Sequence, residues 1–198
     1  GPPFLQVLKL HEGEIQITEG SGANSALIRI WVDANHPVIR VEASSGGTPV
    51  SVQATLLDWR LSASNPDLVW KGQTNNITWH HRNKSSDNSH IANWTYGAMI
   101  QGAGMTNTSP TNLVSAPVTS QLVSVYPLTT RTGTTNQWFT QLQSNVTQIS
   151  ALDLETTRTD HQMWWDNFWH RSWIFVSGDR DATNTTEGYV LQRFVTAC

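Results

Sequence analysis

The segment Asp160–Trp173 constrains the fold of this chain most, because it holds four of the chain's ten tryptophans. Trp165, Trp169 and Trp173 recur at every fourth residue, which is the spacing of one face of an α-helix and not the alternation of a strand. Four side chains that each bury roughly 150–250 Å² form a larger apolar patch than an ordinary monomer exposes. The sequence therefore predicts a helix whose aromatic face is covered.

Three kinds of cover remain open for this aromatic face. It packs as core under a β layer, which is the usual role of an aromatic stripe at helical spacing, or it forms a seam with another domain, or it stacks against sugar rings. Thr157 and Asp160 have the spacing of a capping box, so the helix is predicted to begin there. Near the chain end, Tyr189–Cys198 is typical of the start of a second helix without a stop signal. The chain also opens directly into a strand-like run, so we expect it to be an excerpt of a longer protein.

The sequence before residue 149 alternates apolar and polar residues in short runs, which is typical of antiparallel strands with one buried face. The predicted strands are Glu14–Thr18, Ala26–Val32, Val38–Glu42, Val50–Arg60, Val69–Trp70, Ile77–Arg82, Trp94–Gly104, Leu122–Tyr126 and Trp138–Leu142. No helix is indicated before about residue 149, within the few-residue error of such boundaries. The predicted fold is mainly β, an antiparallel β-sandwich followed by the Trp-rich helix and the start of a second helix.

Charge and cysteine usage exclude several classes of protein. The net charge is −3 and the few Lys and Arg are scattered, so no basic stripe is available for nucleic acid. No apolar run approaches the roughly 20 residues that a membrane-spanning helix needs. Because Cys198 is the single cysteine, neither an internal disulfide nor a cysteine-based zinc site can form.

Asparagine sequons point to the secretory route. The chain carries six Asn-x-Ser/Thr sequences, some of which are expected by chance in a chain rich in Asn, Ser and Thr. The candidate glycosylation sites are Asn76, Asn83, Asn93, Asn107, Asn145 and Asn184. A single cysteine taken alone favours a reducing compartment, but the sequons lead us to expect a secreted, extracellular protein.

The histidines do not form a predicted metal site, and the sequence predicts no metal and no cofactor. His80 and His81 are adjacent in a strand, so their side chains point to opposite faces. His161 and His170 lie nine residues apart, which places them on opposite sides of a helix. Asp166 and His170 are four residues apart, and we expect a surface ion pair.

Paired carboxylates were considered because glycoside cleavage usually needs two carboxyl groups roughly 5–10 Å apart. Asp153 with Glu155 and Asp179 with Asp181 are close in sequence, but solvation of loop residues explains both pairs equally well. No nucleophile elbow, dinucleotide fingerprint or P-loop is present. No catalytic residue is therefore predicted in this chain.

A polar cluster at the end of one predicted strand is the candidate sugar-binding site. Arg82 and Asn83 offer directional hydrogen-bond donors, with His81 beside them and Trp79 as a stacking face. The alternative is an ordinary polar junction between strand and loop. Asn83 also heads a sequon, and a glycan on it would exclude a sugar-binding role.

Three segments resemble one known family. Trp164–Ile174, Tyr189–Ala197 and Thr78–Asn83 are similar to segments of the alpha-L-fucosidase-like six-hairpin glycosidases (glycoside hydrolase family 95-like) and their relatives called domain of unknown function 5703. The pattern Trp-Trp-x-x-Phe-Trp-x-x-Ser is matched from Trp164 to Ser172. In the pattern Trp-Tyr-His-Arg-Asn, His80 stands where the family has Tyr.

The resemblance implies a supersandwich-like N-terminal domain that packs against a downstream (α/α)6 barrel. It implies a sandwich over residues 1–148, a Trp-rich linker helix packing on it over 149–174, and a loop with the truncated first barrel helix over 175–198. The aromatic face is then an interdomain seam, made by Trp164, Trp165, Phe168, Trp169 and Trp173. The implied catalytic carboxylates belong to the barrel, and Arg82 and Asn83 are the residues expected to reach its sugar site.

The predicted function is thus a non-catalytic N-terminal domain of a secreted glycoside-hydrolase-like protein. Its expected partner is the downstream barrel of the same chain, with carbohydrate as a further ligand. Two alternatives remain open, namely a free-standing carbohydrate-binding module and a purely structural domain.

Overall fold

The computed structural model describes residues 3–57, 60, 64–70 and 73–198, and most of the described strands follow the predicted alternation. In these residues the strands are β1 Phe4–Lys9, β2 Glu14–Glu19, β3 Ala26–Val32, β4 Ile39–Ser45, β5 Gln53–Thr55, β6 Leu68–Val69, β7 Asn76–Arg82, β8 Trp94–Gly102, β9 Thr106–Ser109, β10 Asn112–Val114 and β11 Ser120–Arg131. The helices are α1 Thr135–Ser150, α2 Leu154–His170 and α3 Arg180–Ala197.

Within the described ranges the strands form two antiparallel sheets. The large sheet has the order β1-β2-β3-β4-β11-β8-β7-β6 and the small sheet has the order β5-β10-β9. An apolar cluster joins them, with Ile77 and Val123 from the large sheet meeting Met105 and Leu113. The predicted mainly β fold and its sandwich of antiparallel sheets are confirmed.

Helix α1 covers the other face of the large sheet. Its residues Trp138, Leu142, Val146 and Ile149 are buried against Val38, Met99 and Tyr126. Tyr126 and Val123 are three residues apart in β11, so they point to opposite faces, one toward α1 and one toward the small sheet. The large sheet is therefore the middle layer of the molecule.

The prediction of a strand at Trp138–Leu142, with no helix before about residue 149, is wrong. Apolar residues at 138, 142, 146 and 149 follow the helical period, and they pack as one face. The helix begins after Thr134, whose hydroxyl accepts a hydrogen bond from the Gln137 backbone N–H while the Gln137 side chain accepts from the Thr134 N–H. This reciprocal pair is a capping box.

The predicted start of α2 at Thr157 is also wrong. Asp153 caps the helix, because its Oδ1 accepts from the Thr156 N–H at 2.9 Å, and Thr157 lies buried one turn inside. Helix α3, which was predicted to start near Tyr189, likewise begins earlier, at Arg180, where Asp179 caps it.

The long strand predicted over Val50–Arg60 is shorter in the structure, where only Gln53–Thr55 is a strand. Asp58 and Trp59, which belong to the same prediction, lie outside the described residues. Strands β9 and β10 were not predicted. Strand β9 has no apolar residue, and β10 has only three residues, too few to show an alternation.

Candidate functional site

Helix α2 lies across two turns that connect strands at one end of the large sheet. Trp169 is only 1 % exposed, and its indole N–H donates to the Leu10 carbonyl at 2.8 Å. Trp165 is buried beside Gly13, where a Cβ would overlap the indole at 1.9 Å and where φ is +62°. Glycine is needed here both for the close approach of the ring and for the left-handed backbone.

His161 makes a second contact between α2 and the two strand turns. Its Nδ1 accepts a hydrogen bond from the Ala34 backbone N–H at 3.2 Å, so its Nε2 carries the proton and donates to the Glu12 carbonyl at 3.1 Å. The bond from Ala34 needs the neutral ring, because a protonated Nδ1 cannot accept. Burial lowers the pKa of His161, because a charged imidazole loses solvation there.

Arg158 ties α2 to the sheet by charge. Its guanidinium binds the Glu42 carboxylate and lies 3.8 Å from a carboxylate oxygen of Glu14. It also lies 5.7 Å from the centre of the Trp31 ring, and the Trp31 N–H donates to Glu42 at 2.7 Å. The buried half of the aromatic face is therefore held by apolar, hydrogen-bonding and ionic contacts from the chain's own strands.

The aromatic face is not covered along its whole length. Trp164 and Phe168 are half-buried and stack at 5.6 Å between ring centres, while Trp173 is 47 % exposed. Ile174, Phe175 and Val176 follow with large exposed fractions, and Phe175 reaches 79 %. An apolar surface thus continues from the end of α2 into the segment after it.

Helix α3 rests on α2 but presents most of its surface to solvent. Phe194 stacks on Trp165 at 5.1 Å, and the Arg193 guanidinium lies 4.4 Å from the Phe168 ring centre and donates to the Phe168 carbonyl at 2.8 Å. Among the described residues none of α3 is fully buried. Leu191 and Val195 are exposed apolar residues of this helix.

The predicted sugar-binding residues lie at the end of β7, and their polar atoms are engaged within the chain. Arg82 donates to Thr95 Oγ1 at 2.7 Å and to the carbonyls of Thr132 and Gly133 at 2.8 and 3.1 Å. The Asn83 amide donates to the Ile91 carbonyl at 2.9 Å. These bonds fasten the loop that leads into α1.

Trp79 and His81 point to the face of the large sheet opposite α1. His81 Nδ1 lies 2.9 Å from an Asp67 carboxylate oxygen, and Asn65 lies 3.3 Å from its Nε2. His80 points the other way, between Trp70 and Trp138, and burial lowers its pKa. The predicted opposite orientation of His80 and His81 is confirmed.

The four carboxylates considered for glycoside cleavage lie at helix N-termini. Asp153 and Asp179 are the N-caps of α2 and α3, and Glu155 and Asp181 lie in the first turns behind them. Carboxylates at these positions stabilise helix starts. Their placement needs no catalytic role.

Metal binding finds no support in the part of the chain that the structure describes. No group of three or more His, Cys, Asp or Glu side chains there could hold an ion. His161 is buried whereas His170 is exposed, as their spacing predicts. The predicted pair of Asp166 and His170 is present at 3.4 Å.

No helix of the described ranges has the length and apolarity to cross a membrane.

The sequon asparagines differ in access. Asn184 is exposed on α3, whereas Asn76 is buried and its amide donates to Gln73 at 2.9 Å. The Asn107 amide donates to the Asn76 carbonyl at 3.0 Å. Asn83, Asn93 and Asn145 are half-buried.

The chain is a mainly β domain built on the sandwich of strands. Its helical extension contains the aromatic helix α2 and the exposed segment after it. The family described as "Domain of unknown function (DUF5703)" matches residues 1–174 through its N-terminal domain, so the chain belongs to this family, as its motifs predict. No curated protein matches the chain.

A solved structure from the human microbiome, provisionally named a kojibiose phosphorylase, has the same fold. It superposes with a TM-score of 0.63 at 14 % sequence identity and matches 98 % of this chain. The chain spans 27 % of the length of that structure. The fold of this chain therefore resembles that of one part of this structure.

Proposed function

We propose that this chain is a non-catalytic N-terminal domain of a larger, secreted glycoside-hydrolase-like protein, and that it docks a downstream helical barrel. The observation that carries the proposal is the apolar surface that runs from Trp173 to Val176, beyond the part of the aromatic face that the chain's own strands cover. A patch of this kind on a folded domain marks an interaction site. The fold neighbour supports the proposal, because it is several times longer than the matched domain.

The proposal divides the aromatic residues by task. Trp165 and Trp169 hold α2 on the strands, while Trp173 and Phe175 stack at 5.8 Å and face outward to the partner. Trp164 and Phe168 lie between the two groups and complete the seam. The sandwich, under this proposal, supplies a rigid base that orients the connection to the barrel.

A binding experiment between two separately produced parts tests this function. The 198-residue chain is titrated calorimetrically with the region that the gene encodes after Cys198. Phe175→Asp places a charge in the proposed interface, so we expect binding to weaken by at least about tenfold. Phe4→Asp places the same charge at another exposed phenylalanine, 63 % exposed on the edge strand β1, and as the matched control it should leave binding unchanged. Equal binding by the wild-type and Phe175→Asp chains would contradict the proposal.

A carbohydrate-binding module is the second candidate, because the exposed Trp173–Phe175 stack could also receive a sugar ring. Trp79, His81, Arg82 and Asn83 at the end of β7 remain the proposed contacts, but Trp79 and His81 lie on the opposite face of the sheet from Arg82, so one sugar would meet only one of these faces. Titrating the chain alone with oligosaccharides separates the two functions. Heat from the chain alone favours the module, whereas sugar binding that requires the downstream region favours the domain of a glycosidase.

A further inference from the structure

A cavity of about 290 Å³ lies between the large sheet and the junction of α1 with α2. Its polar lining comes from Arg40, Gln101, Ser124 and Tyr126, and Leu152 and Leu154 lie at the helical side. No role in docking or in sugar binding has been assigned to any of these residues. The cavity is separate from the aromatic seam.

Strand register brings the polar lining together. Ser124 in β11 is paired with Gln101 in β8 on one side and with Arg40 in β4 on the other. Directly paired residues of neighbouring strands point to the same face. The three side chains therefore form one row across the middle of the sheet, on the face that α1 covers.

Arg40 is a buried cation without an anion beside it. The residue is 3 % exposed, and its Nη1 donates to the Ser124 hydroxyl at 2.8 Å and to the Tyr126 hydroxyl at 3.5 Å. Its Nε has no hydrogen-bond partner, and no carboxylate of the described residues lies within ion-pair distance of Arg40. A buried charge is costly unless it is paired, so this arrangement calls for a counter-ion.

Nearby carboxylates are engaged elsewhere. Glu42, two residues further along the same face of β4, accepts from Trp31 and Arg158. Asp153 lies between the two lining leucines in sequence, but it caps α2 through Thr156. Neither is within ion-pair distance of Arg40, and both have other partners in the chain.

Gln101 adds a second requirement. Its side-chain oxygen is buried and has no hydrogen-bond partner in the described part of the protein. A carbonyl oxygen only accepts hydrogen bonds, so a ligand beside it needs a donor such as a hydroxyl group. The cavity thus combines a cation that lacks an anion with an acceptor that lacks a donor, beside a leucine-lined wall.

We propose that this cavity binds a small hydroxycarboxylate. The carboxylate faces Arg40, whose planar guanidinium matches its geometry, and a hydroxyl of the ligand donates to Gln101. The volume is just below the roughly 300 Å³ at which pockets for drug-sized molecules begin, so the ligand has only a few carbon atoms. This binding is independent of the docking surface and of the downstream region.

Calorimetric titration of the protein with two sodium salts and one neutral amide tests the proposal. We expect lactate to bind, propionate to bind more weakly because it lacks the hydroxyl, and propionamide to show no binding because it lacks the charge. Arg40→Met should weaken lactate binding by at least about tenfold, the loss expected for one charge-assisted hydrogen bond. Gln101→Met should reduce lactate to the affinity of propionate.

Two controls keep the result decisive. Sodium chloride at equal concentration must not reproduce the heat, since an equal response would show a general salt effect and overturn the proposal. Leu152→Trp fills the cavity from an exposed position, so it should abolish lactate binding in a chain whose circular dichroism is unchanged. The proposal is wrong if wild-type protein binds none of the carboxylates, or if folded Arg40→Met or Leu152→Trp protein binds lactate as well as wild type.

Discussion

Trp169 is packed in the interior, and its indole N–H also forms a hydrogen bond to the backbone. Its ring is enclosed by the turn before β2, and its N–H donates to the Leu10 carbonyl, which also accepts from the Gly13 backbone N–H at 3.3 Å within that turn. Trp173 has the helical spacing from Trp169 in the sequence, but α2 ends at His170, so Trp173 lies beyond the helix and is half-exposed. The spacing of the tryptophans predicts the stripe, and the local backbone decides which of them is core.

Replacing Trp169 tests this division directly. We expect Trp169→Ala to lower the free energy of unfolding by about 3–5 kcal/mol, because it leaves a cavity at the helix contact. Trp173→Ala, the control just beyond the end of the helix, should lower it by distinctly less, because about half of that side chain is already in solvent. Urea unfolding followed by circular dichroism measures both values. Equal effects of the two substitutions would show that the stripe is not divided.

His161 makes the contact of α2 sensitive to acid. Burial lowers the pKa of the folded ring, so the unfolded chain binds the proton more readily. Stability is therefore fully present above the ordinary histidine pKa of about 6.5 and is lost as the pH falls below it. His80, whose pKa is lowered in the same direction, adds to this loss.

The pH dependence of unfolding checks this. We expect the free energy of unfolding to fall between pH 7.5 and pH 5, and the fall to be smaller in His161→Gln, which stays neutral throughout. Trp169→Phe serves as the control, because it weakens the same helix contact and leaves the histidine in place, so its pH slope should equal that of wild type. A slope that His161→Gln does not reduce would rule out the assigned role of this histidine.

Helix α1 was not predicted from the sequence, and the reason lies in how its apolar residues are spaced. Taken as five residues, Trp138–Leu142 has apolar positions compatible with a strand, whereas the helical period appears only when the segment is followed to Ile149. Polar Gln, Ser, Asn and Thr fill the exposed face of α1, so charge patterning gives no helix signal. Strands β7, β8 and β11 were predictable because they bury residues against the neighbouring layers.

The Arg40 cavity was not predicted either, because its burial depends on helix α1. Arg40 and Glu42 occupy alternate positions of a predicted strand, and polar residues at such positions are expected to face water. In the structure α1 and the junction with α2 cover that face, so Arg40 is buried. By contrast, the aromatic helix α2 was predictable, because its aromatic residues are contiguous in sequence and do not depend on which layers meet.

The start of α1 offers a test of this element. Thr134→Ala removes the capping hydroxyl that accepts from Gln137, and we expect it to cost about 1 kcal/mol of stability. Thr147→Ala, at an exposed position in the last turn of the same helix, should cost less than about 0.5 kcal/mol. Thermal and urea unfolding give both values. A loss at Thr147 as large as that at Thr134 would argue against the assigned helix start.

The molecule as a whole is layered, with the small sheet on one face of the large sheet and α1 on the other. Helix α2 leaves this body across the strand turns, and α3 follows with few buried contacts. A helix with so little buried surface gains little stability from packing. The account therefore predicts that α3 and the segment before it are completed by a further part of the protein.

Hydrogen exchange over residues 173–197 is the most direct test of that claim. The backbone amides are followed by mass spectrometry in the 198-residue chain and in the chain extended by the region that its gene encodes next. We predict fast exchange of these amides in the shorter chain and at least about tenfold slower exchange in the longer one, with α1 amides equally protected in both. Identical exchange of residues 173–197 in the two chains would contradict the account.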